Sequence, residues 1–546
     1  MVESYGAQNA FFNGNPQATH FYKVIQKTSH FGQESISIGL DGPNQMMMDA
    51  PIQLRAKIPR HADLLTDLTL VFDIPDIYSK LSIYISTIPN PDITTRIPSF
   101  RWIHMLGAFI IDNVSISING AQIQSFPGEW LAVRASVDYD SERYAKWCAL
   151  VGETPELTAP EWGLKGNAPG YPYQPGGYPH AVADPSAPAT PIAPSIDGRQ
   201  IRVPLPFWFS ESWGTALPLI SLQRSEVEVV LQLKTLREIY RLMDDYFQSE
   251  PTRPGRRLKY DPSRPTQIDP LLIPSGIPNP PYTNLTLQTN YHSFADFAGD
   301  LKHFFVDPTT ASTPRQNGFI MNAHLEGTYI FLTVNEQRGF ATRELEHVVH
   351  QVTQFTFPAI VSQTRLDMNI FGLLTRLVFF GRRTDAIGSR NDYINLSNWK
   401  SLSQAPYWPL GGSNPPTPNS GRLIQFSQRD ILRSARLLLD GNEYHEEKPA
   451  IFFEVQSSFA SGGGSNTRLK DSVMGPLYRM NFALNPSDHV GPSGALNASI
   501  IRNLQLEVTP WELDPFSPFA YDFTVYTETM NTVKFQSGMG GLAFAT

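Results

Sequence analysis

The sequence contains a single cysteine, Cys148, in 546 residues. An intrachain disulfide and a multi-cysteine metal site are therefore excluded, and assembly in a reducing compartment is favoured. Charged residues make up only 17% of the chain, below the ~25% that is typical of globular proteins. This shortage of charge predicts a surface that neighbouring proteins partly cover. The formal net charge of −8 gives no general reason to bind nucleic acid or an anionic membrane.

Long hydrophobic runs are also missing. No apolar stretch approaches the ~20 residues that a membrane-spanning helix needs. The first residues, Met1 to Gly6, have neither the basic start nor the apolar run of a signal peptide. We therefore expect a soluble protein that is not secreted.

The sequence signatures of catalysis are absent as well. No phosphate-binding loop, dinucleotide fingerprint or Gly-x-Ser-x-Gly motif occurs. His347 and His350 stand three apart on a predicted helix, which is a spacing that suits a metal ion, but the sequence brings no third ligand near them. A packing pair or a solvent-facing pair is favoured. We predict no catalytic residue, no cofactor and no metal site, so function has to reside in surfaces.

Proline and glycine, by contrast, are plentiful, with 46 and 38 residues. They predict long loops between short strands, above all at 152–198, 251–282 and 401–421. A disordered linker and an ordered surface loop are both compatible with 152–198, and the strands on either side favour the ordered loop. Five basic residues lie within 251–282, where a solvated loop is favoured over contact with nucleic acid.

Two hairpin patterns stand far apart in the chain. Apolar residues alternate around Asn119-Gly120 and again around Asp440-Gly441, and such pairs suit a type I′ turn because both turn residues need positive φ. Three further pairs of segments return in the same order: Leu64–Phe72 with Leu373–Phe380, Val203–Phe209 with Tyr478–Leu484, and Glu226–Leu233 with Asn503–Val508. Together they predict two β domains of similar topology.

Short strands at near-regular spacing fit an all-β fold of two consecutive eight-stranded jelly rolls, with long loop insertions and a few short helices. We expect an N-terminal arm at 1–33, a first jelly roll at 34–340 and a second at 341–546. Helical spacing in 335–350 predicts a helix that bridges the two domains. Another short helix is predicted within 129–150.

Four Asn-x-Ser/Thr sequons occur in the chain, at Asn113, Asn284, Asn395 and Asn497. Chance supplies several in a sequence of this length, and secretory glycosylation is not expected without a signal peptide. Asn284, Asn395 and Asn497 are kept as candidate glycosylation sites.

Nine segments carry a resemblance to a known family, and the C-terminal ones are the most specific. They are Gly6–Val24, Phe31–Ile36, Ile58–Leu65, Gly128–Trp130, Val203–Phe207, Leu332–Phe340, Tyr478–Pro486, Pro492–Gly494 and Ser537–Ala543. In these segments, which span almost the whole chain in the family's order, the sequence resembles the major capsid proteins of nucleocytoplasmic large DNA viruses.

This resemblance implies a structural protein and not an enzyme. A double jelly roll of this family forms a homotrimer, and the trimers are pseudo-hexameric capsomers that tile the icosahedral shell of a large double-stranded DNA virus. The implied partners are neighbouring capsomers, with minor capsid proteins and an internal membrane at the inner face. No sequence-specific contact with nucleic acid is implied. The implied location is the virion capsid, assembled in the host cytoplasm.

Two other interpretations stay open at this point. A two-domain β-sandwich hydrolase or carbohydrate-binding protein would also use jelly rolls, and it predicts paired carboxylates or an aromatic platform in a cleft. The aromatic residues of 162–178 have no accompanying acid pair of recognisable spacing. A penton or minor capsid protein usually has a single jelly roll, so the duplication argues against it.

Overall fold

The computed structural model describes most of the chain: residues 27–77, 98–158, 194–244, 318–384, 386–387, 391–398, 430–460, 474–513 and 519–544, with a few single positions besides. The predicted loops 251–282 and 401–421 lie outside the described residues, as does most of the 1–33 arm and of the 152–198 loop. In the described part of the chain, no helix is long and apolar enough to cross a lipid bilayer.

The first half of the chain forms two antiparallel sheets around one core. Its strands are β1 (Gly32–Gly39), β2 (Gln45–Met47), β3 (Ile52–Lys57), β4 (Leu64–Ile74), β5 (Pro98–Trp102), β6 (Ile111–Ile118), β7 (Ala121–Pro127), β8 (Arg199–Pro204), β9 (Leu217–Pro218), β10 (Val227–Leu233), β11 (Tyr240–Asp244), β12 (Gly318–Ile320) and β13 (His324–Phe331). One sheet has the order β1-β13-β4-β8, with β9 beside β4, and the other has the order β3-β10-β6-β7. Strands β5 and β11, and β2 and β12, form two-stranded ribbons.

Alternation of apolar and polar residues explains why these segments become sheets with one buried face. In β3 the side chains of Ile52, Leu54 and Ala56 are buried, and the residues between them are exposed. Successive side chains of a strand point to opposite faces, so this pattern turns one face to the core and the other to water.

The second half repeats this arrangement. Its strands are β14 (Leu345–Ile360), β15 (Thr364–Met368), β16 (Leu373–Arg383), β17 (Leu432–Leu439), β18 (Asn442–Pro449), β19 (Tyr478–Asn481), β20 (Leu496–Asn497), β21 (Leu504–Pro510), β22 (Tyr521–Gln536) and β23 (Met539–Leu542). One sheet has the order β14-β22-β16-β19, with β20 beside β16 and β23 beside β22, and the other has the order β15-β21-β17-β18.

The strand order is the same in both halves. Strands β1, β13, β4 and β8 correspond to β14, β22, β16 and β19, and strands β3, β10, β6 and β7 correspond to β15, β21, β17 and β18. Each half is therefore an eight-stranded jelly roll, and the predicted fold class is confirmed. The repeated segments of the sequence lie in or beside equivalent strands: β4 with β16, β8 with β19, and β10 with β21.

Short helices decorate the loops between the strands. The α-helices are α1 (Leu106–Phe109), α2 (Gly128–Asp138), α3 (Ser141–Leu150), α4 (Pro155–Thr158), α5 (Val334–Thr342) and α6 (Ser457–Ala460), which follows a π-helical turn at Phe452–Gln456. The 3₁₀ turns are Trp208–Ser210, Trp213–Thr215, Leu219–Ser221, Leu236–Glu238 and Ala498–Ile500. The helix predicted within 129–150 is two helices, because Asp140 caps α3 by accepting a hydrogen bond from the Arg143 N–H at 2.7 Å.

The predicted bridging helix is only half right. Helix α5 begins after a capping box formed by Thr333 and Glu336 and ends at Thr342. Residues 345–360 form strand β14, which pairs with β22 along nearly its whole length. The placement of His347 and His350 on a helix is therefore wrong: both side chains lie on a strand, and both are buried.

The core of the first jelly roll continues into the second. It includes Val349 of β14, Phe380 of β16 and Phe535 of β22, alongside the residues of the first two sheets. A separate apolar cluster fills the interior of the second jelly roll. The two halves thus share an apolar contact.

Candidate functional site between the two jelly rolls

Strand β16 is buried on both faces although its sequence carries three arginines. One face packs on the interior of the second jelly roll, and helix α2 of the first jelly roll contacts the other. Arg376, Arg382 and Arg383 are all at most 5% exposed. Arg376 and Arg382 pair with Asp138 and Glu129, which lie at opposite ends of α2.

The Arg376 guanidinium lies between two buried carboxylates. Its Nη2 donates to Asp138 Oδ2 at 2.7 Å and to Glu528 Oε1 at 3.1 Å, and its Nε donates to Glu528 Oε2. The planar guanidinium suits two carboxylates at once because its five N–H groups form a fixed fork. Arg376 thereby joins α2 of the first jelly roll to β22 of the second.

The ionisation of this group follows from the pairing. Burial alone favours the protonated carboxyl, but the Arg376 charge outweighs it and holds the pKa of Glu528 at about 2. The same guanidinium holds the pKa of Asp138 well below its usual range, against burial. All three groups are therefore charged at neutral pH. A buried charge that loses its partner is costly, so the contact depends on all three.

Two more arginines extend the network. The Arg134 Nη2 lies 2.7 Å from Glu211 Oε1, and its Nε lies 3.6 Å from Asp138 Oδ2. Arg479 of β19 donates to the Val137 carbonyl at 3.4 Å and to the Ser458 hydroxyl. Burial, and then the nearby Arg376 charge, lower the pKa of Arg479 to about 10.

A second ionic contact lies at the other end of α2. Arg382 Nη2 donates to Glu129 and to the Tyr393 carbonyl, the latter at 2.6 Å. The Tyr526 hydroxyl donates to Glu129 Oε2 at 2.9 Å. Burial, followed by the Glu129 charge, raises the pKa of Tyr526 well above its ordinary value, so the phenol stays a donor.

Two histidines and a carboxylate lie together beside Arg376. His350 of β14, His489 of the segment after β19, and Glu528 of β22 are all buried, and each offers one ligand atom within 4.8 Å of the others. The His350 and His489 rings are 4.8 Å apart. Nitrogen and carboxylate oxygen donors in this number are those that a transition metal such as zinc uses.

The edge of the first jelly roll also meets the second directly. Gln124 of β7 donates to the His350 carbonyl at 2.9 Å, and Gln351 of β14 donates to the Ile123 carbonyl at 3.1 Å. The Gln124 side-chain oxygen accepts from the Trp208 N–H at 3.1 Å. These side-chain amides thus bond backbone groups of β7, of β14 and of the 3₁₀ turn at Trp208–Ser210.

The glycine-rich C-terminal segment forms a latch onto the first jelly roll. Ser537 and Gly538, both with positive φ, turn the chain from β22 into β23. The Gly538 carbonyl accepts from the Arg224 N–H at 2.9 Å. A Cβ at Gly540 would lie 2.9 Å from a Leu222 methyl carbon, so glycine permits the close approach. This segment is one of those that carry the family resemblance.

The hairpin turn residues named from the sequence lie at two hairpins of the same design. Asn119-Gly120 joins β6 to β7, Asp440-Gly441 joins β17 to β18, and all four residues have positive φ. Each hairpin has a bulge at the same place. Five residues after the first turn residue, Gln124 pairs with Ile116 in the first hairpin and His445 pairs with Leu437 in the second.

The bulged residues of the two hairpins differ sharply in exposure. Ile123 is 0% exposed and its carbonyl is bonded to β14, whereas Tyr444, in the same place of β18, is 50% exposed. Strand β1, which corresponds to β14, also leaves most of its residues exposed. The contact made between β7 and β14 inside the chain thus has counterparts, β18 and β1, with free surfaces.

Two of the three candidate glycosylation sites lie among the described residues. Asn395 is half-buried, and its side-chain oxygen accepts from the Ser397 hydroxyl at 2.8 Å. Asn497 is exposed, and its side chain caps a 3₁₀ turn by accepting from the Ser499 N–H. Asn284 lies outside the described residues. Glycosylation stays a prediction at all three.

Comparison with known proteins agrees with the topology. Residues 19–255 match the family model described as the major capsid protein N-terminus. The major capsid protein of Phaeocystis pouchetii virus is 23% identical, over 100% of this chain and 99% of its own. The major capsid protein of Paramecium bursaria Chlorella virus 1 is 22% identical, over 100% and 98%. The chain belongs to the major capsid proteins of nucleocytoplasmic large DNA viruses.

Solved structures agree with this membership at the level of the fold. A chain of the PBCV-1 virus capsid matches with a TM-score of 0.59 and 18% identity, over 97% of this chain and 100% of its own. The Faustovirus major capsid protein matches with a TM-score of 0.59 and 13% identity, over 97% and 94%. This capsid protein is a structural component of the virion and not an enzyme, and the alternative of a hydrolase is not favoured.

The buried network of the capsid protein was not predicted from the sequence. Its partners are far apart in the chain: Arg376 lies 238 residues from Asp138 and 152 from Glu528. One signal was available. Three arginines within the apolar strand 373–383 indicate a strand whose second face meets acidic partners instead of water.

Proposed function

We propose that three copies of this capsid protein form a ring, and that such pseudo-hexameric capsomers tile the icosahedral shell of a large double-stranded DNA virus. Each copy supplies two jelly rolls of the same topology, so three copies supply six similar wedges. A threefold ring of this kind has a nearly hexagonal outline and can cover a flat facet with repeated edge contacts.

The observation that carries this proposal is the contrast between Ile123 and Tyr444. Within one chain, the bulged edge of β7 packs on β14. The equivalent edge, β18, and the equivalent partner strand, β1, are both exposed. In the proposed ring, β18 of one copy packs on β1 of the next, which repeats between copies the contact already made within each copy.

We also propose the finer organisation that the family resemblance implies. The domain limits are 34–340 and 341–546, and the arm at 1–33 lies at the inner face, near minor capsid proteins and an internal membrane. The long loops at 152–198, 251–282 and 401–421 form the outer surface of the capsomer. Assembly takes place in the host cytoplasm.

The mass of the purified protein in solution tests the ring. The chain has a mass of 61.1 kDa, so a trimer has a mass of about 183 kDa (three times that of the chain). We expect size-exclusion chromatography with light scattering to give the trimer. A folded monomer across the accessible concentration range would contradict the proposal.

A substitution at β18 tests which surface is used. Tyr444→Asp puts a charge where the proposed contact is dry, and we expect a folded monomer. The matched control is Leu150→Asp on α3, which also charges a partly exposed apolar position but lies away from β1 and β18; it should leave the trimer intact. A Tyr444→Asp variant that still forms trimers would remove β18 from the interface.

A further inference from the structure

The tautomer of His489 is fixed by its surroundings. Its Nδ1 lies 3.0 Å from the Ser487 carbonyl oxygen, and a carbonyl can only accept, so Nδ1 carries the proton and donates. In the neutral ring Nε2 then carries a lone pair. That atom is buried and has no hydrogen-bond partner among the described residues.

The lone pair of His489 Nε2 faces two negative groups. Glu528 Oε1 lies at 3.6 Å and Asp138 Oδ2 at 3.9 Å. Both distances exceed those of a hydrogen bond. The Arg376 guanidinium contacts both carboxylates but does not donate to His489 Nε2. A further positive centre on Nε2, either a proton or a metal ion, would therefore be stabilised there.

The spacing of two of the three ligand atoms suits a metal ion at that centre. Zinc bonds of about 2.0–2.2 Å to nitrogen and oxygen in tetrahedral geometry put two ligand atoms roughly 3.3–3.5 Å apart. The 3.6 Å between His489 Nε2 and Glu528 Oε1 is close to this value. We propose that His350, His489 and Glu528 together bind one divalent transition-metal ion of the zinc type.

The third ligand, His350, has the neutral protonation state that metal binding needs. His350 Nδ1 is buried and has no hydrogen-bond partner among the described residues. Burial lowers the pKa of His350 to about 3, so the ring is neutral and offers a lone pair. The Ser487 carbonyl plays the part of the outer partner that orients a ligating histidine.

The local charge is compatible with a cation. Arg376 is shared by Glu528 and Asp138, and Arg134 is paired with Glu211. Oxygen Oε1 of Glu528 accepts from Arg376 at 3.1 Å and retains a second lone pair for the ion. Asp138 Oδ2, at 3.9 Å from His489 Nε2, supplies a further negative charge at the edge of the site.

The ion has a structural role in this arrangement. Its ligands come from β14, from β22 and from the segment after β19, so it would pin that segment to the sheet that faces the first jelly roll. The same segment carries Ser487, whose hydroxyl donates to Asp138 at 2.9 Å. Metal binding is thus coupled to the contact between the two halves.

Zinc content of the full-length protein tests this site. The protein is incubated with zinc sulfate, dialysed, and analysed by mass spectrometry for metal. We expect one zinc ion per chain, held equally by the His347→Gln variant, which removes a buried histidine of the same strand outside the cluster. His350→Gln and His489→Gln should each lose the ion. A wild-type protein that retains no zinc would overturn the proposal, as would equal retention by the two cluster variants.

X-ray absorption of the zinc-loaded wild-type protein gives a test that does not depend on how a variant folds. The expected spectrum has nitrogen and oxygen neighbours only, with the outer-sphere scattering of two imidazole rings. A spectrum with one ring or none would assign the ion to another place and would refute the site.

Discussion

Asn119 and Asp440 hold the same position in the two halves of the capsid protein and make the same pair of hydrogen bonds. The Asn119 N–H donates to the Glu226 carbonyl at 2.9 Å, and its side-chain oxygen accepts from the Glu226 N–H at 3.0 Å. The Asp440 N–H donates to the Asn503 carbonyl at 2.9 Å, and its side chain accepts from the Asn503 N–H at 2.8 Å. Each hairpin is thereby tied to the chain that enters the adjacent strand, β10 or β21.

Loss of this tie should be measurable in the second half. Asp440→Ala removes an acceptor for two backbone N–H groups, those of Arg502 and Asn503, and we expect a loss of about 1–2 kcal/mol in the free energy of unfolding. Asp440→Asn keeps an acceptor oxygen and tolerates positive φ, so it should cost less than half as much. Denaturant unfolding of the three proteins gives the comparison, and equal losses in both variants would contradict the role of the side-chain oxygen.

The glycines of the two turns should resist substitution for a reason of backbone conformation alone. A Cβ at Gly120 or Gly441 would meet no atom within 4 Å, but φ is +79° and +80°. A β-branched residue is strained there, and Gly120→Val and Gly441→Val should each lose about 1–3 kcal/mol of stability. Gly541→Val is the control, since that position has equal space and no positive φ. Unchanged melting temperatures in both turn variants would rule out this account.

Removal of the central guanidinium should be far more damaging. Arg376→Met leaves Asp138 and Glu528 buried without their cation, and we expect a loss of about 3–5 kcal/mol in the free energy of unfolding. Arg365→Met removes an arginine that also binds a carboxylate, at 2.7 Å from Glu507, but whose side chain is 57% exposed. That control should lose at most about 1 kcal/mol. Thermal and chemical unfolding measure both, and similar losses would show that burial of Arg376 is not decisive.

Acid should destabilise the protein through His347. Burial lowers the pKa of this histidine to about 4, while in the unfolded chain it titrates near 6.5. Below about pH 6.5 the unfolded state therefore binds a proton that the folded state does not, and stability falls until the pH reaches about 4. The expected total loss from this group is about 3 kcal/mol.

The variant His347→Leu isolates this contribution. The His347 ring packs edge-on against Phe535 at 5.2 Å between centroids, so an apolar side chain suits the site. Unfolding measured between pH 7 and pH 4 should show a shallower decline in the variant than in the wild-type protein. Parallel declines would mean that His347 is accessible to protons in the folded state.

Local signals in the sequence predicted a large part of the fold. The Asn-Gly and Asp-Gly pairs marked both hairpins because the backbone there has few alternatives, and alternation marked strands such as β3 because one face is buried. The error at β14 has a physical cause. Apolar residues of 340–349 fit helical spacing, yet β-branched and aromatic residues from Val348 to Phe357 favour a strand, and pairing with β22 decides between the two.

The buried network could not be predicted in the same way. A sequence pattern reports which face of a strand is apolar, but not which distant segment covers it. Arg376 reads as an exposed position between apolar neighbours until α2 brings Asp138 to it. His350 gains its neighbours His489 and Glu528 only through the pairing of β14 with β22 and the path of the chain after β19.

The contact between β7 and β14 also has a consequence for the assembly of the capsomer. In the proposed ring, three of the six contacts between neighbouring jelly rolls lie within single chains and form when each chain folds. The strength of these contacts does not depend on the protein concentration. Only the contacts between β18 of one copy and β1 of the next weaken when the protein is diluted. Capsomer formation would then join three prefolded double wedges rather than six single ones, which makes assembly less dependent on protein concentration.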